Sequence, residues 1–90
     1  MMMTKEKIDR FIRDNFYLPD DIELTHDTSL PDQGIVDSTG MLEIISFLER
    51  TFAIQVPDDE ILPDNFDTIE RIAAYVELKS TKVRHVKLSA

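Results

Sequence analysis

An all-α bundle of three main helices and one short one, with a long loop after the first helix, is the fold this sequence predicts. Three observations carry the prediction. Apolar residues recur at helical spacing in three separate segments. No alternating or β-branched run is long enough to make a convincing strand. Ninety residues, 42% hydrophobic and without cysteine, make one small domain that must close on a single core with no disulfide to help it.

The first helix is expected from a cap at Thr4 to about Phe16, because Ile8, Phe11, Ile12 and Phe16 fall at i, i+3, i+4 and i+8. Residues 17 to 36 then lose periodicity. They hold Pro19, Pro31 and Gly34 among several Asp, Thr and Ser turn formers, with Leu18, Ile22, Leu24, Leu30, Ile35 and Val36 scattered through them. This reads as a long loop pinned to the core by its apolar side chains, and loops of that length inside compact domains are often functional. The second helix is placed at Ser38 to Phe52, with Met41, Ile44, Ile45, Leu48 and Phe52 on one face. Thr39, Glu43, Ser46 and Arg50 lie opposite, and Leu42 and Glu49 sit at the border of the polar face. "AIQVPDDEIL" reads as an extended turn followed by a single helical turn carrying Ile61 and Leu62, ended by Pro63. Asp67-x-x-Glu70 resembles a capping box for a last helix, whose inner stripe is Ile69, Ile72, Ala73 and Val76. Past Leu78 the stripe fades, which divides the chain into a domain at 1–79 and a basic, flexible tail at 80–90.

The charge distribution narrows the function. The net charge is −8, from eighteen acidic and ten basic residues. Setting aside Lys79, Lys82, Arg84 and Lys87 leaves six basic residues against eighteen acidic ones, a net of −12 over residues 1 to 78. Such a body repels nucleic acid and anionic lipid and attracts partners with basic patches, although an acidic surface also simply aids solubility. No segment has the length of a signal peptide core or a membrane span, so cytoplasm is the expected location.

One polar cluster stands out, Asp37-Ser38-Thr39-Gly40 at the mouth of the second helix. Asp37 and Ser38 are ordinary helix caps. A hydrolytic serine needs a base and an oxyanion hole on a strained turn. No strand precedes Ser38, and the two histidines are His26 in the loop and His85 in the tail. An aspartic protease needs large β domains and a second carboxylate. The acidic clusters Asp20, Asp21, Glu23 and Asp58, Asp59, Glu60 lack the alternating ligands, central glycine and final glutamate of an EF-hand, so no dedicated metal site is expected. A serine in the first turn of a helix does have outward-facing N–H groups and the positive end of the dipole beside it, an environment that suits an attached phosphodiester. Gly40 would let another macromolecule approach the backbone. By physical chemistry alone, cap and modification point both remain open.

The segment "GIVDSTGMLEIISFLERTFAIQVPDDEI" resembles the core of the acyl carrier protein family. The family's aspartate–serine pair is matched by Asp37 and Ser38, its helix pattern by Glu43, Leu48, Glu49 and Phe52, and its following turn by Ile54, Val56, Pro57 and Asp58. The resemblance runs from about Lys5 to Leu78. It implies the family's helical bundle and 4'-phosphopantetheine on Ser38, with Asp37 as motif residue and cap, and an acyl or aminoacyl cargo held on the arm's thiol as a thioester. It also implies a phosphopantetheinyl transferase, an activating ligase and a downstream synthase or transferase as partners, a monomeric carrier and no catalysis by the chain itself. Thr39, Leu42, Glu43, Ser46 and Glu49 are the expected partner face. The crevice between the second helix and the short one is the expected place for cargo. Thr39 and Gly40 stand where the family usually has Leu and an acid, and Arg50 follows Glu49 where a second acid is common. A specialised free-standing carrier with its own ligase therefore fits better than a housekeeping one. The alternatives are an unmodified interaction module with the same fold and, behind it, a small serine hydrolase.

Overall fold

The structure, a computed structural model, describes the backbone of residues 3–89 and the side chains of residues 3–80. Four α-helices and a 3₁₀ turn follow one another with no strand among the described residues: α1 (Thr4–Asn15), α2 (Ser38–Phe52), the 3₁₀ turn (Asp58–Glu60), α3 (Pro63–Phe66) and α4 (Ile69–Ser89).

Helix α1 buries Ile8 and Ile12 completely and packs Phe11 and Phe16 beside them. Thr4 is its first helical residue rather than its cap. Met3 precedes it in extended conformation, and Glu6 accepts the Met3 N–H at 2.8 Å. The helix stops where Phe16 turns extended while still donating its N–H to Ile12 O.

The long loop is held from both ends of its path. Leu24, Leu30, Ile35 and Val36 are buried. Arg13, paired with Asp9, donates to Leu24 O at 2.9 Å. Ser29 Oγ donates to Asp67 Oδ1 at 2.7 Å, Leu30 N–H to Asp67 O, and Glu70 N–H to His26 O. The turn from Pro31 closes at Gly34, whose φ of 72° is a conformation that residues with a Cβ rarely adopt.

Helix α2 has the predicted bounds. Asp37 Oδ1 accepts Gly40 N–H at 2.7 Å, and Ile44, Ile45 and Leu48 form the buried stripe. The helix ends at Ala53 in the left-handed region, φ 55°. Glu49 is not a free border residue: its Oε2 accepts Val56 N–H at 3.0 Å and ties the following strap back to α2.

Pro63 begins α3 rather than ending a helix, because its missing N–H and fixed φ cost nothing in a first turn. The preceding 3₁₀ turn covers Asp58–Glu60, so Ile61 and Leu62 lie between the two elements. Asp67 does not cap α4. It closes α3, and Thr68 Oγ1 accepts Arg71 N–H at 3.1 Å in the capping role. Ile69, Ile72, Ala73, Tyr75 and Val76 of α4 are buried against the other elements. Tyr75 donates to Glu60 Oε1 at 2.6 Å, Lys79 reaches the same oxygen at 3.1 Å, and Lys5 of α1 pairs with Glu70 at 2.7 Å. The helical backbone continues through Ser89, past the point where the apolar stripe gives out. The segment contains no glycine or proline, and its Lys, Arg and Leu residues are good helix formers. The expected flexible character of 80–90 concerns a segment whose side chains, from residue 81 on, lie outside the described residues.

Candidate functional site

Ser38 is the first residue of α2, exposed beside an equally exposed Asp37 and Thr39. The capping work is done by Asp37, whose carboxylate takes Gly40 N–H and whose carbonyl takes Met41 N–H. The hydroxyl of Ser38 makes no hydrogen bond among the described residues, and the Ser38 and Thr39 N–H groups are left in the first turn for an anion. An exposed serine oxygen that its own helix does not need, at the positive end of that helix, fits a phosphodiester attachment.

Gly40 serves a different purpose from the one its sequence position suggests. It is buried under Phe16, which follows α1: a Cβ there would lie 2.6 Å from Phe16 Cε1 and 3.3 Å from both Asp37 Oδ1 and Val36 Cγ1. The close approach it permits is to this chain's own ring, which fixes the end of α1 against the start of α2.

Of the hollows along α2, two include residues near its start. On one side is a crevice of about 190 Å³ lined by Pro31, Met41, Ile61, Leu62, Pro63, Phe66 and Asp67, nearly all apolar surface. It is the expected space between α2 and the short helix, although Pro63 and Phe66 of α3 contribute where only Ile61 and Leu62 were anticipated. On the other side an open groove of about 600 Å³ is lined by Phe11 and Asn15 of α1 and by Thr39, Leu42, Glu43, Ser46 and Arg50 of α2. Phe11 is its aromatic surface, and that ring stacks on Phe47 of α2 at 4.1 Å between ring centres. Four of the five expected partner-face residues therefore share one wall, and Leu42 is 62% exposed there. Glu49 does not join them. It lies beside Ile54, Gln55, Val56 and Pro57, held by its bond to Val56. Phe11, Asn15 and Arg50 were missed as lining residues. Arg50, one turn beyond Ser46 and two beyond Glu43, was visible on the polar face; the contribution of α1 was not.

Among the described residues the titratable groups do not assemble a hydrolytic centre; His85 lies outside them. His26 faces Asp9, Nε2 to Oδ2 3.7 Å, and its carbonyl is engaged by Glu70 N–H. Tyr75 has its phenol pushed above the usual 10, first by burial and then by donation to Glu60. Among the described residues no group of three or more His, Asp or Glu side chains is arranged to hold a metal, and no helix is long and apolar enough to cross a membrane.

The family model described as "phosphopantetheine attachment site" matches residues 6–76. D-alanyl carrier proteins of Streptococcus pyogenes, from serotype M5 strain Manfredo and serotype M49 strain NZ131, are each 40% identical over 58 residues, spanning 64% of this chain and 73% of theirs. A chain of a solved structure described as an FAD-dependent dehydrogenase superimposes with a TM-score of 0.62 at 25% identity, covering 79% of this chain and 94% of that one.

Proposed function

The chain belongs to the phosphopantetheine-attachment family of carrier proteins, and from that premise we propose that Ser38 is the residue that takes the arm. As a member it is an acyl or aminoacyl carrier bearing covalent 4'-phosphopantetheine on a serine; the bound group supplies a thiol on which cargo is held as a thioester. The observation that supports Ser38 is its geometry. It is exposed at the first turn of α2, next to an Asp37 that has taken over the cap and so leaves the hydroxyl unengaged.

Around that serine the chain's own residues position rather than react. Asp37 caps the first turn, so a transferase meets Ser38 at a formed helix end. The mixed wall of Thr39, Leu42, Glu43 and Ser46 presents an acid and an exposed leucine to partners, and the net acidic body steers basic patches toward it. Glu49 contributes charge to that field while holding Val56. The partners are a phosphopantetheinyl transferase, an activating ligase and a downstream acceptor enzyme. The chain performs no chemistry of its own and works as a monomer in the cytoplasm. The cargo is a small aminoacyl group, a reading supported by the likeness to D-alanyl carriers and by a crevice of only about 190 Å³ between α2 and α3. The carrier domain is residues 1–79, with Lys79 tied to Glu60 and 80–90 an appendage to it.

The test is the intact mass of protein produced together with a transferase of broad specificity. Wild-type chain is expected to gain one phosphopantetheinyl group and Ser38→Ala none. A gain by Ser38→Ala would move the site elsewhere. No gain by either, with coenzyme A present, would favour an unmodified interaction module.

A further inference from the structure

Resting on the assignment of the arm to Ser38, we propose that the groove between α1 and α2 is the resting berth of this chain's own phosphopantetheine arm, rather than the apolar crevice beside α3.

The two hollows differ in chemistry, and the arm's chemistry chooses between them. Beyond its phosphate the arm is an uncharged chain with two amides and a hydroxyl. Each of these groups loses hydrogen bonds to water on burial and needs a partner in exchange. The crevice beside α3 is walled by Met41, Ile61, Leu62 and Phe66 and has almost no polar surface to offer. The α1–α2 groove places Thr39 and Ser46 hydroxyls along one wall and the Asn15 carboxamide on the other. Asn15 already donates through Nδ2 to Phe11 O at 2.8 Å, which leaves its oxygen oriented as an acceptor for an amide N–H. Phe11 floors the space for the methylene segments.

Position and length agree with this. The groove opens at Thr39, the residue after the attachment point, so the tether holds the arm at high local concentration from its first bonds. From Thr39 to Arg50 the helix rises about 16 Å at 1.5 Å per residue, a run suited to an extended arm. A berth of this kind keeps an empty thiol against the protein, and an arriving partner that docks on Leu42 and Glu43 would displace it.

The chain has no cysteine, so the arm's thiol is the single site at which a maleimide nitroxide can be attached. In ¹⁵N-labelled holo protein, paramagnetic broadening is expected to be strongest at Asn15, Ser46 and Arg50 and weaker at Leu62 and Phe66. Holo-minus-apo amide shifts without the nitroxide should follow the same order. Asn15→Ala with Ser46→Ala should cut those shifts at Arg50 several-fold while leaving the apo spectrum dispersed. Stronger broadening at Leu62 and Phe66, or effects confined to residues 37–41, would overturn the berth while Ser38 modification stands. No mass gain and no nitroxide uptake would instead refute the attachment itself, and the berth with it.

Discussion

Replacing Gly40 by alanine tests the junction that carries the candidate site. Two effects oppose each other. Alanine in a helix is favoured over glycine by about 1 kcal/mol. Against this, the new methyl would lie 2.6 Å from Phe16 Cε1 and press on the Asp37 oxygen that caps the helix. Phe16 is half-buried, with Phe11 edge-on to it at 6.2 Å between ring centres, so the ring must turn against a packed neighbour. Overpacking of this kind typically costs about 1–3 kcal/mol. Taking about 2 for the clash and about 1 for the gained propensity, Gly40→Ala should destabilise the domain by about 1 kcal/mol, a fall of roughly 4–8 °C in Tm for a chain of this size. A double-mutant cycle isolates the cause. In a Phe16→Ala background the clash is gone, and Gly40→Ala should then stabilise by up to about 1 kcal/mol, a coupling of about 2 kcal/mol. Urea unfolding of the four proteins measures it. A coupling below about 0.5 kcal/mol, or Gly40→Ala raising Tm in the wild-type background, would refute the idea that Gly40 is there for Phe16.

Ala53 ends α2 with φ 55°, where a Cβ costs about 1–2 kcal/mol; after the extra chain entropy of glycine, Ala53→Gly should raise stability by about 0.5–1 kcal/mol, and a fall in Tm would argue against it. Tyr75 is protonated preferentially in the fold, so its stabilisation is complete below about pH 10 and is lost as the pH rises above that; Tyr75→Phe should flatten the alkaline limb of stability against pH and cost about 1 kcal/mol near neutrality, checked by denaturation at several pH values. The two acids of α2 should separate under charge reversal. Glu43→Lys should slow association with basic partners and weaken its salt dependence at unchanged Tm, whereas Glu49→Lys should also lose about 1–2 kcal/mol by stranding Val56 N–H, and equal Tm values for the two would contradict the bond to Val56.

The parts of the fold legible in the sequence are those whose causes are local. Helix α2 could be read to the residue because its cap, Asp37, and its stripe, Ile44, Ile45 and Leu48, all lie within the helix's own few turns. The stripes of α1 and α4 and the pinned loop were legible for the same reason, since burial of an apolar side chain needs only a core to exist. Ser38 was legible as a candidate through its neighbours in the chain.

What the sequence could not supply were the choices made between distant segments. Asp67 had the spacing of a cap, yet a serine 38 residues away engages its carboxylate, and Thr68 takes the capping role. Glu49 looked like a border acid until the strap folded back and presented Val56 N–H to it. Gly40 read as an opening for a partner, and only the packing of α1 filled that opening with Phe16. Pro63 could stop one helix or start another, and local preference allows either. The groove that unites Thr39, Leu42, Glu43 and Ser46 exists because α1 brings Phe11 and Asn15 alongside them. By itself the sequence determined where the helices run and which serine is offered at a helix start, because propensity, capping and amphipathic spacing act within a few residues. The tertiary structure alone decided which polar atoms are used up inside the fold and which remain for a partner or an arm. A hydrogen bond or a steric contact depends on distances through space that the order of residues does not contain.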